Sequence, residues 1–220
     1  MLSYLTHLLF PPKCHFCRCI LSDTETDLCH RCREAAPEFI RAKRNFHLIA
    51  HWTAVWYYKD GVRNSIRRFK FYNARGYADF FAKAIAIKLR EESFPADFDV
   101  LTWVPVSPLR RFSRGYDQSE LLARALGKEL GVTPVPGLKK FRHTRPQSGI
   151  RNSAERRANV FNAYQGINQS AFSGKKVLLV DDVVTTGATA SECAKTLLVS
   201  GATHIFLAAI AATPNHKSRR

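Results

Sequence analysis

Runs of apolar residues along the chain predict alternating strands and helices. Segments 51–58, 100–106, 175–180 and 203–212 are short and rich in aliphatic or aromatic residues, as strands are. Residues 177–180 show no polar alternation, which is typical of a strand buried on both faces of a parallel sheet. Segments 61–72, 77–92, 117–130 and 188–200 predict helices, the last two ended by Gly131 and Gly201. The pattern therefore predicts an α/β fold with a parallel sheet flanked by helices.

One predicted strand runs into VLLVDDVVTTGAT, residues 177–189, which sets two acids side by side. The helix predicted after it offers unpaired N–H groups and the positive end of its dipole, so a phosphate is expected there. Gly187 lets the backbone bend toward this anion. Three hydroxyls add donors, from Thr185, Thr186 and Thr189. Asp181 and Asp182 suit another part of the same ligand, because the hydroxyls of a ribose donate to carboxylates.

Positive charge is the second strong feature of the sequence. The 220 residues include 34 Lys and Arg against 18 acids, a net charge of +16, and the pI is about 9.9. Because the charge is clustered, contact with phosphates explains it better than a generally basic surface. A loop predicted after strand 100–106 is the first cluster and a candidate anion site. Its basic residues are Arg110, Arg111 and Arg114.

Segment 139–157 is a second basic cluster, predicted as a long polar loop. A lid that closes over an anionic ligand and an arm that binds nucleic acid both fit this composition. A third basic cluster lies in the helix predicted over 61–72. The candidate contacts to nucleic acid from these segments are Arg67, Arg68, Lys70, Lys139, Lys140, Arg142, Arg145, Arg151, Arg156 and Arg157.

Five of the six cysteines fall between positions 14 and 32. Two CxxC pairs, Cys14/Cys17 and Cys29/Cys32, predict four thiolates around a structural Zn²⁺ in a small ribbon. Cys19 is a spare ligand that is able to replace Cys17. A ribbon of this kind docks on its own domain, binds nucleic acid or pairs with another protein, and the sequence leaves these three roles open.

Targeting signals are not evident in the sequence. No run reaches the ~20 apolar residues of a membrane span, and the apolar N-terminus lacks basic residues before it meets Pro11 and Pro12. We therefore expect a cytoplasmic protein without a membrane span. Its expected organisation is an N-terminal helix and zinc finger (1–40), a hood-like connecting region (41–98) and a ligand-binding core (99–220).

Several of these segments together resemble the ComF competence family. Residues 177–189 resemble in full the phosphoribosyl-pyrophosphate (PRPP) motif of type I phosphoribosyltransferases. The cysteine pairs, RFKF (68–71), RGYDQ (114–118), RHTRPQ (142–147) and RRANV (156–160) match the ComF branch, which joins a four-cysteine finger to a phosphoribosyltransferase-like domain. The resemblance spans roughly residues 10–212. Asp117 departs from it, because the family usually has Asn there.

The resemblance implies a type I phosphoribosyltransferase-like fold and a site for PRPP or a nucleotide monophosphate. Mg²⁺ would accompany PRPP, and the implied ligand-binding residues are Asp181, Asp182, Val183, Val184, Thr185, Thr186, Gly187, Ala188, Thr189, Arg110, Arg111 and Arg114. The implied catalytic residues are Asp181, Asp182 and the lid residue Arg142.

Two functions follow from the resemblance. In the first, the protein binds PRPP, handles incoming single-stranded DNA in natural transformation and acts with other competence or helicase-type proteins. In the alternative it is an active phosphoribosyltransferase that moves ribose 5-phosphate from PRPP to a nitrogenous base and has no role with DNA. A purely structural zinc-ribbon adaptor would leave the acid pair without a purpose.

Overall fold

Parallel strands flanked by helices form the body of the protein. The computed structural model describes residues 10–39, 45–92, 94, 97–142, 144 and 153–214. The helices in this part are α1 (His30–Glu34), α2 (Asp60–Phe71), α3 (Tyr77–Glu91), α4 (Pro108–Arg114), α5 (Gln118–Leu130), α6 (Ser153–Val160) and α7 (Ala188–Val199). The strands are β1 (His51–Tyr57), β2 (Val100–Trp103), β3 (Leu138–Lys140), β4 (Tyr164–Gly166), β5 (Lys176–Val184) and β6 (His204–Ala212).

The main sheet has the strand order β1-β6-β5-β2, and every neighbouring pair is parallel. The predicted α/β fold with a parallel sheet is therefore confirmed. Strand β1 comes from segment 41–98, so the sheet crosses the boundary expected between that segment and the core. Strands β3 and β4 form a separate antiparallel pair. None of the helices in the described ranges is long and apolar enough to cross a membrane.

Side chains of β5 alternate between two hydrophobic clusters, one on each face of the sheet. Leu178 and Val180 pack with the first cluster, which includes α3 and α5. Val177 and Leu179 pack with the second, which includes α7. Successive residues of a strand point to opposite faces, so a strand covered on both sides must be apolar at every position. This explains the aliphatic run that the sequence shows.

The cysteine-rich segment docks on its own domain and contributes to the first cluster. Cys14 and Phe16 are buried there, and the Phe16 ring lies 5.4 Å from that of Trp56. The Arg68 guanidinium on α2 donates to the carbonyls of His15 and Phe16 at 2.8 and 2.7 Å. Of the three roles left open by the sequence, docking on the body is the one that the structure shows.

Two local predictions differ from the structure. The segment of Arg110, Arg111 and Arg114 is the helix α4 rather than a loop. Pro108 has the fixed φ of a first helical residue, and Gly115 ends the helix with a left-handed φ of 74°. In the predicted lid 139–157, residues 139–140 belong to β3 and residues 153–157 belong to α6, and most of the residues between these elements lie outside the described part of the chain.

The strand predicted over 175–180 extends to Val184. Asp181, Asp182 and Val183 therefore belong to β5 itself, where Asp181 and Val183 pair with Ala209 and Ala211 of β6. The turn before α7 consists of residues 185–187 only. The acids consequently have the fixed alternation of strand residues rather than the freedom of a turn.

Asp117 caps helix α5 and ties it to the end of β2. Its Oδ1 accepts from the amides of Ser119 and Glu120 at 2.9 and 3.1 Å, and its Oδ2 accepts from Val106 N at 2.9 Å. The Asp117 carboxyl is buried, and burial raises its pKa. This acid, the departure from the family pattern, is thus a structural cap and does not contact a ligand through its carboxylate.

We expect Asp117→Ala to lower the free energy of unfolding by about 2–4 kcal/mol, because the change removes a cap and leaves buried amides unpaired. Asp117→Asn keeps one acceptor and should lose clearly less. Urea denaturation measures both, with the exposed Glu129→Ala as the control for loss of one acid on the same helix. Equal losses for the alanine and asparagine variants would contradict the role as a cap.

Candidate functional site

The end of β5 carries a buried ion pair. The Asp182 side chain is 5% exposed, and its Oδ1 lies 2.7 Å from Lys70 Nζ on α2. Its Oδ2 accepts from Gln118 Nε2 at 3.1 Å. Gln118 Oε1 in turn accepts from Arg114 at 2.6 Å. Because both carboxylate oxygens are engaged, Asp182 fixes cationic and amide groups from three helices around the strand end.

Asp181 is the more accessible acid of the pair. One of its oxygens accepts from the Asp182 backbone amide at 2.8 Å, and the residue is only partly buried. Burial first, and then the negative charge of Asp182, raises the pKa of Asp181 well above its usual range. Lys70 and Lys140 oppose this shift. A bound cation would favour the ionised form of Asp181 as the two lysines do, and in that form the acid is suited to accept hydroxyl groups of a ligand or to bind a divalent cation through an oxygen.

Cations outnumber acids around this strand end. Arg110 is half-buried, its Nη2 donates to Thr144 O at 2.8 Å, and burial followed by the neighbouring Arg114 lowers its pKa. Arg114 donates to an amide oxygen of Gln118 rather than to a carboxylate. Like charges held together at low exposure favour an anionic ligand, because an anion removes their mutual repulsion.

Lys140 is a buried cation that belongs to the same region. It is 5% exposed, and its Nζ lies 3.2 Å from Tyr164 Oη. Burial, followed by the charge of Arg110, lowers the pKa of Lys140 to about 8, while Asp181 acts in the opposite direction. We predicted Lys140 as a contact to nucleic acid, and this is wrong, since a buried ammonium does not reach a DNA backbone. Its position favours a role near Asp181.

The turn after β5 forms the predicted cradle. Gly187 has a left-handed φ of 77°, and a Cβ at this position would overlap the Phe46 ring. Glycine is therefore required there both by conformation and by space. Thr186 Oγ1 accepts from Ala188 N at 3.4 Å. The amides that open α7 thus lie directly beyond Asp181 and Asp182, in the order that the sequence predicts for a phosphate beside a sugar.

The remaining basic candidates occupy three kinds of position. Arg67, Lys139 and Arg157 are exposed, and Arg156 is partly buried. Arg68 is held by the finger, and Lys70 by Asp182. Arg142 donates to the carbonyls of Asn159 and Phe161 at the end of α6. Arg111 lies 3.7 Å from Glu120, and Arg145 and Arg151 lie outside the described residues.

The sulfurs of the cysteine segment converge on one point. Those of Cys14, Cys17, Cys19 and Cys29 all lie within 4.8 Å of one another. A tetrahedral zinc ion with Zn–S bonds of about 2.3 Å holds its sulfurs roughly 3.8 Å apart, so the group fits Zn²⁺. A hydrogen bond from the Cys19 backbone is the largest cause that lowers the pKa of Cys17 to about 6. A thiolate is the form that binds the metal.

Cys19 belongs to this group, whereas Cys32, which was predicted as a ligand, does not. Burial, followed by hydrogen bonds with the thiols of Cys17, Cys29 and Cys14, raises the pKa of Cys32. Cys32 is the third residue of α1. The sulfur of Cys19, by contrast, lies 3.3 Å from the sulfur of Cys17. Cys14, Cys17 and Cys29 are thus common to the predicted and the observed ligand sets. Cys19 or Cys32 supplies the fourth sulfur.

Two residues of the site were not found from the sequence. Gln118 was read as part of a helix, and Lys70 as a contact to nucleic acid. The Lys70–Asp182 pair joins positions 112 residues apart, so only the tertiary structure brings it together. The RGYDQ segment did contain a signal, since it places Gln118 one residue after the cap of α5 and four after Arg114.

Comparison with known proteins places this chain among proteins of bacterial competence. No model of a known protein family matches it. Competence protein F of Haemophilus influenzae is 30% identical over 156 residues, which are 69% of this chain and 68% of that protein. The chain belongs to the competence protein F (ComF) family. Competence protein ComFC of Bacillus subtilis is 27% identical over 86% of this chain and 78% of its own length. The DNA utilization protein YhgH of Escherichia coli K12 is 33% identical over 47% of this chain and 45% of its length.

Two solved structures are similar to part of this ComF protein at low sequence identity. A glutamine PRPP amidotransferase from Bacillus subtilis covers 66% of this chain and 30% of its own, with 21% identity and a TM-score of 0.44. A hypoxanthine phosphoribosyl transferase from Trypanosoma cruzi covers 66% and 76%, with 16% identity and a TM-score of 0.32.

We expect Cys29→Ser to lower the zinc bound per chain and to destabilise this ComF protein, because Cys29 belongs to both ligand sets and metal binding contributes to folding. Atomic absorption measures the zinc, and thermal unfolding measures the stability. Cys193→Ala is the control, since Cys193 is buried in α7 away from the cluster. Unchanged zinc content in Cys29→Ser would contradict the site.

The same measurement identifies the fourth ligand. We expect Cys19→Ser to lose more zinc than Cys32→Ser, because Cys19 is within the sulfur group and Cys32 is outside it. The reverse result would restore the two CxxC pairs as the ligand set.

Proposed function

We propose that this ComF protein binds PRPP and acts in handling incoming single-stranded DNA during natural transformation. The proposal of PRPP binding rests on the arrangement of side chains and backbone at the end of β5. Asp181 is accessible there, Asp182 holds Lys70 at 2.7 Å, and the turn around Gly187 opens the helix α7. A ligand that fits must offer hydroxyl donors and phosphoryl oxygens in one small molecule.

The structure supports a division of labour between the two acids. Asp181 accepts hydrogen bonds from the ribose hydroxyls, while Asp182 acts through the groups it positions, Lys70 and Gln118. The amides and hydroxyls of residues 185–189 bind the 5′-phosphate. Arg110 and Arg114 bind the pyrophosphate, because both are only partly buried and neither has a carboxylate partner within salt-bridge distance among the described residues. This last set favours PRPP over a nucleotide monophosphate.

Mg²⁺ fits this arrangement as a companion of PRPP. Asp181 offers a carboxylate oxygen of the kind that Mg²⁺ prefers and would hold the ion beside the phosphoryl groups of the ligand. Mg²⁺ would neutralise the leaving group if pyrophosphate departs. The residues of the protein hold the ribose and the phosphoryl groups in place around it.

A role with DNA is supported by the family and by the charge. The relatives are named for competence and for DNA utilization, and the net charge of +16 suits a polyanionic partner. Arg67, Lys139 and Arg157 are exposed candidates for its phosphates. Because this role is distinct from the PRPP site, each half of the proposal has its own test.

For the first half, we expect PRPP with Mg²⁺ to bind measurably in titration calorimetry and Asp181→Asn to weaken binding by about tenfold or more, because a charge-assisted hydrogen bond is lost. Asp23→Asn, which removes one exposed acid of the finger, should bind as the parent does. PRPP that gives no heat, or that binds both variants equally, would exclude this ligand. Pyrophosphate release with one of a panel of nitrogenous bases would instead favour the phosphoribosyltransferase.

For the second half, we expect single-stranded DNA to bind with an affinity that falls steeply with salt, by a slope of roughly −0.7 per phosphate neutralised. Replacing Arg67 and Lys139 together by alanine should flatten the slope by about 1.4 if each neutralises one phosphate. Fluorescence anisotropy over a range of salt concentrations measures it. The exposed Lys128→Ala is a matched control of charge, and an affinity insensitive to salt would remove DNA from the proposal.

A further inference from the structure

Three aromatic rings are exposed beside the ligand site, where the end of α2 meets α4. Phe71 is 61% exposed, Tyr72 is 70% exposed and Phe112 is 89% exposed. Most other large aromatic residues of the described chain are buried in the two core clusters. Exposed aromatic rings leave apolar surface in water, which is unfavourable. Several such rings on neighbouring segments are typical of a surface that contacts a partner.

Arginine contacts hold these two helix ends together. The Arg114 guanidinium carbon lies 4.7 Å from the centroid of the Phe71 ring. Arg75 donates to Gly115 O at 3.4 Å, and its guanidinium carbon lies 5.1 Å from the Tyr116 ring. Since these contacts join the end of α2 to the end of α4, the two segments that carry the exposed rings are held next to each other before any partner binds.

The charge of this surface has one sign. Arg67 is exposed one helical turn before Phe71, and the sequence has no acid between Asp60 and Asp79. The nearest acid on α5, Glu120, is already paired with Arg111 and Arg124. We define the aromatic–arginine surface as Arg67, Phe71, Tyr72, Arg75, Phe112 and Arg114.

We propose that the aromatic–arginine surface binds single-stranded DNA by stacking bases on Phe71, Tyr72 and Phe112, with the exposed Arg67 and Arg75 beside the phosphates. Unpaired bases expose the π-faces that such rings bind, and a cationic groove follows the strand. A second copy of this chain is disfavoured as the occupant, because a two-fold contact would bring identical cationic patches together. The inference rests on the DNA half of the proposed function, and it adds which residues contact the bases.

The surface also meets the ligand site. Arg114 contacts Phe71 on one side and donates to Gln118 on the other, and Gln118 donates to Asp182. Two residues, Arg114 and Gln118, therefore connect the Phe71 ring to Asp182. By contrast, Arg68 and Lys70 on the same helix are engaged by the finger and by Asp182, so they are not part of the surface.

The test compares two probes of equal charge, oligothymidylate and an abasic strand of the same length. We expect Phe71→Ala and Phe112→Ala each to weaken oligothymidylate binding by about five- to a hundredfold, as loss of a stacked base does. Binding of the abasic strand and the salt slope should not change in these variants. Arg67→Ala should affect both strands alike and lower the slope by roughly 0.7.

Phe161→Ala is the matched control, because its ring is also exposed but lies beside Lys195 of α7. Phe112 is almost fully exposed, so its replacement does not disturb the core. If the parent protein binds neither strand, the DNA half of the proposed function fails. If the parent binds oligothymidylate and the Phe71 and Phe112 variants bind it equally well, this inference alone is overturned. It is also overturned if the parent is a dimer that these variants convert to a monomer.

Discussion

A buried ion pair between Lys70 and Asp182 organises the functional end of this protein. A carboxylate that is this deeply buried is stable only when its oxygens are paired, since the cost of taking an unpaired charge out of water is several kcal/mol. Lys70 and Gln118 meet that requirement from two different helices. The position of α2 against the sheet, the start of α5 and the orientation of Arg114 therefore all depend on one acid at the end of β5.

Helix α2 connects this ion pair to the zinc finger. Arg68 donates to the carbonyls of His15 and Phe16, and Lys70, two residues later, holds Asp182. His15 also stacks on Phe80 of α3, with ring centroids 4.4 Å apart. The finger is thus a part of the hydrophobic core rather than a separate module. Helix α2 is therefore in contact with both the cysteine segment and the acid at the end of β5.

The sequence predicts the strands and helices well because their periodicity is strong, as in the aliphatic run of β5 and the amphipathic α3. It also predicts the acid pair and the glycine turn, which are local in sequence. It does not distinguish among neighbouring basic residues, since Arg67, Arg68 and Lys70 look alike until tertiary contacts give each a different partner. Lys140 was predicted as a contact to nucleic acid for the same reason. The sequence does not show that this lysine is buried beside Tyr164, because its neighbours in the sequence are also basic.

The cluster of Arg110, Arg114 and Lys140 has a consequence for how long the protein survives. Without an anion, the positive charges of these groups repel one another, which lowers the free energy of unfolding. A bound polyphosphate would offset this repulsion, because each cation would then face a negative charge. A ligand that binds only the folded chain adds a stabilisation that grows with the logarithm of its concentration. The proposed binding of PRPP would therefore lower the fraction of unfolded chain that is open to proteolysis.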